Sequence, residues 1–281
     1  MTTLLADVGG TNTRLALGQG GQLDPGSVRW FRNDDHTDFR SILTEYDARA
    51  RALCIAIAGP VTARIARLTN RDWTFDADGF GVPTRLVNDL QAVGHALDVL
   101  PATALRPIIK GVAAPDAPRL VIGLGTGFNV SLVAGAEVLR AELGHATLPT
   151  AVADWLIPKL GKMPFASVER LFSGKGLTQV HTIRTGTLLP TRDITDHAPQ
   201  TVDVFAQALG VLTSQLVYHY LPLGGIVFNG GLARAILQSQ AGQDGFAAGY
   251  RLDRALVPDA IPVQVITDDA AALYGCAALS T

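Results

Sequence analysis

The stretch Asp7-Val8-Gly9-Gly10-Thr11-Asn12-Thr13-Arg14 lies between two apolar runs, Leu4-Leu5-Ala6 and Leu15-Ala16-Leu17. Apolar run, Gly-Gly turn, apolar run predicts a β-hairpin. The glycines admit positive φ and leave backbone N–H groups unshielded, and a concavity of N–H groups suits phosphate oxygens. Thr11, Asn12 and Thr13 add hydrogen-bonding side chains, and Asp7 at the strand end is placed to hold a metal-bound water. An ordinary hairpin turn uses the same glycines. This stretch alone leaves both readings open.

The pattern occurs a second time. Leu120-Val121-Ile122-Gly123-Leu124-Gly125-Thr126-Gly127-Phe128-Asn129-Val130-Ser131-Leu132-Val133 again reads apolar strand, Gly/Thr turn, apolar strand. It is not the dinucleotide fingerprint GxGxxG, because Phe128 interrupts it and no helical periodicity follows. Ser173-Gly174-Lys175-Gly176 likewise lacks the upstream Gly and the Ser/Thr of a P-loop. Two such hairpins in 281 residues fit two domains, or one large one. A hydrophobic content of 48% is enough to fill their cores.

Charge and cysteine usage narrow the class. A net charge of −2, with basic residues scattered, gives no electrostatic reason to expect nucleic acid or an anionic membrane. The two cysteines, Cys54 and Cys276, sit in apolar runs and read as buried thiols of a reducing compartment. With no CxxC or Cys/His cluster, a structural zinc site is not expected. The first strand begins at once, with no basic leader, and the apolar region Leu120 to Val138 is broken by glycines and Asn129. A soluble, cytoplasmic protein is expected.

In chain order, a third strand is expected near Val28 to Arg32 and a helix from Asp38 to Asp47 capped by Thr37. A buried strand from Leu53 to Ala58 follows, then another from Ile65 to Asn70, making a mixed sheet. Leu86-Val87 leads through Asn88-Asp89 into a helix. A carboxylate where a strand meets a helix lies at the sheet end where α/β proteins bind ligands, although for Asp89 taken alone a plain N-cap is the simpler reading. Pro101 to Pro118 reads as an irregular crossing between domains. Glu142 and His145 lie three residues apart, too few ligands for a metal but well suited to hydroxyl groups of a substrate. Helices are expected from Ala151 to Leu160, Ala166 to Phe172 and Gln200 to Tyr220. Gly224 to Gly231 reads as a strand ending in a Gly-Gly turn before a helix from Ala233; an ordinary strand–helix turn explains it as well as a backbone against which a flat group such as a purine can lie. A last strand, Val263 to Ile266, precedes a helix from Ala270 to Leu279 with Asp268-Asp269 near its start.

These motifs, in this order, resemble the bacterial glucokinases of the ROK/hexokinase group. The matching residues are Asp-Val-Gly-Gly-Thr-Asn from Asp7, Cys54 to Ala58, Thr69-Asn70, Asn88-Asp89, Gly125-Thr126-Gly127, Glu142-x-x-His145, Glu169-Arg170 through Ser173-Gly174, and Gly230-Gly231. The resemblance implies an α/β, two-domain actin-like ATPase (ribonuclease H-like) fold with mixed sheets and an interdomain cleft. It divides the chain into a small domain, 1–107 plus 270–281, and a large domain, 108–269. It implies ATP-dependent phosphorylation of glucose at the 6-hydroxyl, with ATP and Mg2+ as cofactors and a homodimer as the family-level expectation. On this analogy Asp89 is the general base, and Asn88, Glu142 and His145 bind the sugar. Gly9, Gly10, Thr11, Asn12, Gly125, Thr126 and Gly127 line the phosphates, and Gly230 and Gly231 contact adenosine. Asp7 meets magnesium through water, and no protein side chain binds the metal directly.

One departure bears on the substrate. The enterobacterial-type glucokinases carry a second sugar-binding glutamate seven residues before the Glu-Arg pair, and here that position is Lys162. A kinase for another hexose or amino sugar is therefore the alternative. A sugar sensor of the same group would need a DNA-binding segment ahead of the hairpin, and six residues precede Asp7. An actin-like ATPase acting on proteins would have no use for Glu142-x-x-His145.

Overall fold

The computed structural model describes residues 2–257 and 260–280. It divides into two compact units, Met1–Ala102 with Asp268–Thr281, and Thr103–Thr267.

In the first unit, β1 (Thr2–Val8) and β2 (Asn12–Gln19) form the first hairpin, followed by β3 (Gln22–Leu23) and β4 (Arg29–Arg32). After α1 (Phe39–Tyr46) come β5 (Ala52–Ile57), β6 (Ile65–Arg67), β7 (Thr74–Asp76), β8 (Thr84–Asn88) and α2 (Asp89–Ala96). The sheet order is β3-β2-β1-β5-β8, with β4 also on β2. The β1–β2 pairing is antiparallel, whereas β1–β5 and β5–β8 are parallel, which is the mixed sheet the sequence predicts. Leu4, Leu15, Ile42, Ile55, Ile57 and Phe75 pack into one core of this unit. The cap of α1 is Asp38, not Thr37: its carboxylate accepts from the Ser41 amide at 2.8 Å.

The second unit begins with β9 (Leu105–Ile109), β10 (Arg119–Leu124), β11 (Phe128–Ala134) and β12 (Glu137–Arg140). Helices α3 (Thr150–Leu160), α4 (Val168–Leu171), α5 (Gly174–Thr185), α6 (Thr191–His197) and α7 (Pro199–Tyr220) follow. Then come β13 (Gly225–Asn229), α8 (Gly231–Leu237), α9 (Gln240–Gly249) and β14 (Val263–Ile266). The sheet runs β12-β11-β10-β13-β14-β9. An antiparallel hairpin, β10–β11, is again followed by parallel partners, β13 and β14, so the second sheet repeats the plan of the first. Phe172, Phe205, Phe228 and Phe246 are fully buried in its core.

Residues 101–118 are not simply a crossing. They contain β9, which pairs antiparallel with β14 and so lies in the second unit, whereas a division at 107/108 would cut this strand in two. Its one proline, Pro107, is tolerated because β9 is an edge strand. The helices α5, α6 and α9 have weak or polar-rich patterns and escape the sequence reading; Ser173, rejected as part of a phosphate loop, is the N-cap of α5.

The chain returns to the first unit in α10 (Ala271–Ala278), where Ala271, Leu273, Cys276 and Ala277 are buried. It packs on α2 so closely that a Cβ on Gly275 would lie 1.7 Å from the Ala92 carbonyl oxygen. Both cysteines are buried and unbridged. Among the described residues, no helix is long and apolar enough to cross a membrane.

Candidate active site

The parallel register of the first sheet gathers three strand ends. Val8 pairs with Ile57, and Ile57 with Asn88. The Gly9-Gly10-Thr11 turn, the Ala58-Gly59 exit and Asn88-Asp89 therefore share one edge of the sheet, with β1 and β8 two strand spacings, about 10 Å, apart.

The turn of the first hairpin has its carbonyls occupied. Gly9 N donates to Asn12 O at 3.0 Å, and the fully buried Asn33 donates from Nδ2 to Gly9 O at 2.8 Å. Asn33 N reaches Thr11 O at 2.9 Å, and its Oδ1 accepts from Thr13 Oγ1 at 2.7 Å. Arg71 Nε donates to Gly10 O at 3.3 Å and its guanidinium pairs with Asp34. While Asn33 and Arg71 take these carbonyls, the Gly10 and Thr11 amides donate to no backbone carbonyl among the described residues. A turn of this polarity suits an anion. Asp7 is buried beside it, and its Oδ2 accepts from Arg14 Nη1 at 2.7 Å. Burial raises the Asp7 pKa above its ordinary value, and the Arg14 charge opposes that rise.

At the end of β8 the cap belongs to Asn88. Its Oδ1 accepts from Leu90 N at 3.1 Å and Gln91 N at 3.3 Å, and its Nδ2 donates to Gly59 O at 3.3 Å. Asp89 is the first residue of α2, its Oδ1 accepting from the Leu90 amide at 2.8 Å.

The second sheet gathers the other motifs. Gly123 of β10 pairs with Asn229 of β13, so Gly125-Thr126-Gly127 and Gly230-Gly231 leave the same edge on adjacent strands. Gly125 N donates to Gly127 O at 2.9 Å, and Gly174 N donates to Gly125 O at 3.1 Å. Gly230 has φ +114°, and a Cβ there would lie 2.4 Å from Leu124 O, so backbone geometry demands glycine. At Gly231 a Cβ would meet nothing within 4 Å. After β12, Glu142 immediately precedes the short 3-10 turn Leu143–His145 and His145 ends it, both exposed.

Two residues at this edge were not singled out from the sequence as site residues. Asn129, at the start of β11, donates from Nδ2 to Glu142 Oε2 at 2.9 Å. Glu169, on α4, accepts from the Phe128 amide at 3.4 Å, and its carboxylate lies 2.5 Å from where a Gly127 Cβ would be. Glu169 is present in the Glu-Arg match, but only tertiary contact shows what it touches. Lys162 is exposed in the turn after α3.

The sequence profile of the glucokinase family matches residues 4–281. The chain belongs to the glucokinase family. A glucokinase from Cupriavidus pinatubonensis is 35% identical over 316 residues, covering 98% of this chain and 90% of that protein. A glucokinase from an Antarctic psychrotroph superposes with a TM-score of 0.75 at 24% identity, covering 99% of this chain and 98% of that one. A ROK family glucokinase from Streptomyces griseus, solved in complex with glucose and AMPPNP, has a TM-score of 0.68 at 16% identity, with 99% of each chain covered. At these identities the structural likeness concerns the fold, which is the two-domain actin-like ATPase fold of the sugar kinases. Glucokinase membership makes the chain an enzyme, a kinase of an alcohol group.

Proposed function

We propose that the chain transfers the γ-phosphoryl group of ATP to the 6-hydroxyl of glucose, with Asp89 as general base. The observation that carries this reading is the division of labour at the start of α2. Asn88 takes the cap, so an N-cap no longer explains Asp89, which stands at the strand end on the same sheet edge as the glycine turn. The glucose and AMPPNP bound by the Streptomyces griseus relative support the same pair of substrates here.

Phosphoryl transfer asks little covalent work of a protein; alignment and charge stabilisation supply most of the rate. Asp89 accepts the hydroxyl proton as the oxygen–phosphorus bond forms. Glu142 and His145 hold ring hydroxyls, and Asn88 sits beside the reacting group. The two glycine turns, Gly9 to Asn12 and Gly125 to Gly127, receive the phosphates through amide N–H groups, and Gly230-Gly231 receives adenosine.

Among the described residues no group of three or more His, Cys, Asp or Glu is placed to hold a metal. Magnesium would enter as part of the Mg-ATP substrate, where it would neutralise phosphate charge. Asp7 is the carboxylate suited to meet its water shell, with Arg14 already on one of its oxygens.

Lys162 favours one second reading, a kinase for another hexose or an amino sugar, because a cation stands where the related enzymes place a sugar-binding carboxylate. The test is ADP release from Mg-ATP with glucose, mannose, fructose, glucosamine or no sugar, in wild type and Asp89→Asn. Glucose-dependent turnover lost in the variant supports the proposal. Preference for another sugar replaces glucose in it, and sugar-independent turnover unaffected by the variant sinks it. A cytoplasmic location and a homodimer belong to the same proposal, the latter checked by light scattering.

A further inference from the structure

We propose that Asn129 is a positioning residue for the sugar site, fixing the Glu142 carboxylate through a clamp built at the start of β11. The inference rests on the reading of Glu142 as a sugar-hydroxyl ligand.

The clamp has three hydrogen bonds whose polarity is determined by chemistry. Asn129 Oδ1 accepts from the Val130 amide at 2.9 Å and from the Leu143 amide at 3.0 Å. Two N–H donors converge on one atom, so that atom is the amide oxygen. The Nδ2 group must then face the Glu142 side, where Oε2 accepts it at 2.9 Å. One planar side chain thus holds its own strand, the backbone of residue 143 and the carboxylate of residue 142.

The backbone around the clamp is held independently. A Cβ on Gly144 would lie 2.1 Å from the Phe128 carbonyl oxygen, so the loop carrying Glu142 runs in contact with the start of β11. Val168 N donates to Ala146 O at 3.0 Å, tying the far end of that loop to α4. The main chain is therefore located by packing, and what Asn129 adds is the direction of an exposed carboxylate with three rotatable bonds. A ligand that must meet two hydroxyl groups gains when that direction is set before binding. The Nδ2 donor also occupies one carboxylate oxygen, leaving the other for sugar hydroxyl groups.

The test uses Asn129→Asp, which keeps the two backbone hydrogen bonds but replaces the donor by an oxygen that repels Glu142. The expected result is a KM for glucose raised about tenfold, with kcat within about threefold, because a uniformly binding contact is lost. The KM for ATP and the melting temperature stay within about twofold and ~2 °C, as the backbone bonds survive. Glu142→Gln and the double variant complete a cycle: Gln at 142 can donate to Asp at 129, so the Asn129→Asp effect on KM shrinks to less than about twofold in that background.

If Glu142→Gln raises the KM for glucose but Asn129→Asp leaves it unchanged, or acts equally in both backgrounds, the clamp is refuted and the sugar reading of Glu142 stands. If Glu142→Gln leaves the KM for glucose unchanged, that reading fails and takes the clamp with it.

Discussion

The Asp7 carboxylate and the Arg14 guanidinium are register partners across the first hairpin, joined by a 2.7 Å hydrogen bond beside the Gly9-Gly10 turn. The pair is largely buried, with Arg14 also lying 4.0 Å over the Trp30 ring and Asp269 4.0 Å from its other nitrogen. Removing Arg14 leaves the buried Asp7 carboxyl without its charged hydrogen-bond partner. Arg14→Ala should therefore lower stability by about 3 kcal/mol, measured by urea unfolding at neutral pH.

The same pair sets a direction for pH dependence. Burial raises the Asp7 pKa more than Arg14 lowers it, so the folded state binds the proton more tightly than the unfolded chain. The stability Asp7 contributes is then complete below the unfolded carboxylate value and is lost as pH rises through the raised folded value. Asp7→Asn has no such titration. Its stability relative to wild type should increase as pH rises above the ordinary carboxylate value, and level off once pH passes the raised folded value. A difference that moves the other way would mean that Arg14, not burial, governs the carboxylate.

Asp89→Asn should lower kcat by about 10²- to 10⁴-fold, the usual contribution of a positioned base. Asn88 still caps α2 in this variant, so the melting temperature and far-UV circular dichroism should match wild type. Equal loss of structure and activity would return Asp89 to a capping role.

Adjacent glycines at the end of β13 separate a backbone requirement from a ligand contact. Gly230→Ala meets a positive φ and the Leu124 carbonyl, and should destabilise by about 1–3 kcal/mol. Gly231→Ala has open space and no strained angle, so its stability should be unchanged. If adenosine lies against this turn, Gly231→Ala raises the KM for ATP and leaves that for glucose alone. Steady-state kinetics with each substrate varied decide it.

Gly275→Ala tests the seam between α10 and α2. A methyl group 1.7 Å from the Ala92 carbonyl oxygen cannot be absorbed by a rotamer change, because its neighbour is backbone. Separation of the two helices should cost about 1–3 kcal/mol, read as a lower melting temperature. Since Asp89 opens α2, kcat should fall too.

Much of the architecture is legible because its signals are local. Both hairpins, the buried strand at residues 52–57 and the long helix α7 follow from apolar patterning and glycine turns. Helices with polar-rich sequences, α5 and α6, give no comparable pattern, and the proline-bearing strand β9 looks irregular until its partner β14 is known. The Asn-Asp step shows the same division at residue scale. Sequence places a carboxylate at a strand end, but which of Asn88 and Asp89 caps the helix depends on side-chain direction.

The sequence by itself determined the order of motifs, the pairing of each glycine turn with its two strands, and the residue types available for a sugar and a nucleotide. Those are properties of neighbours along the chain, where spacing and conformational preference act directly. Only the tertiary structure decided that Asn33 turns the first hairpin's carbonyls away, that Arg14 occupies Asp7, and that Asn129 holds Glu142. Each of these joins residues across strands or from a distant loop. Hydrogen-bond direction and burial are set by the folded backbone, and no local pattern in the chain records them.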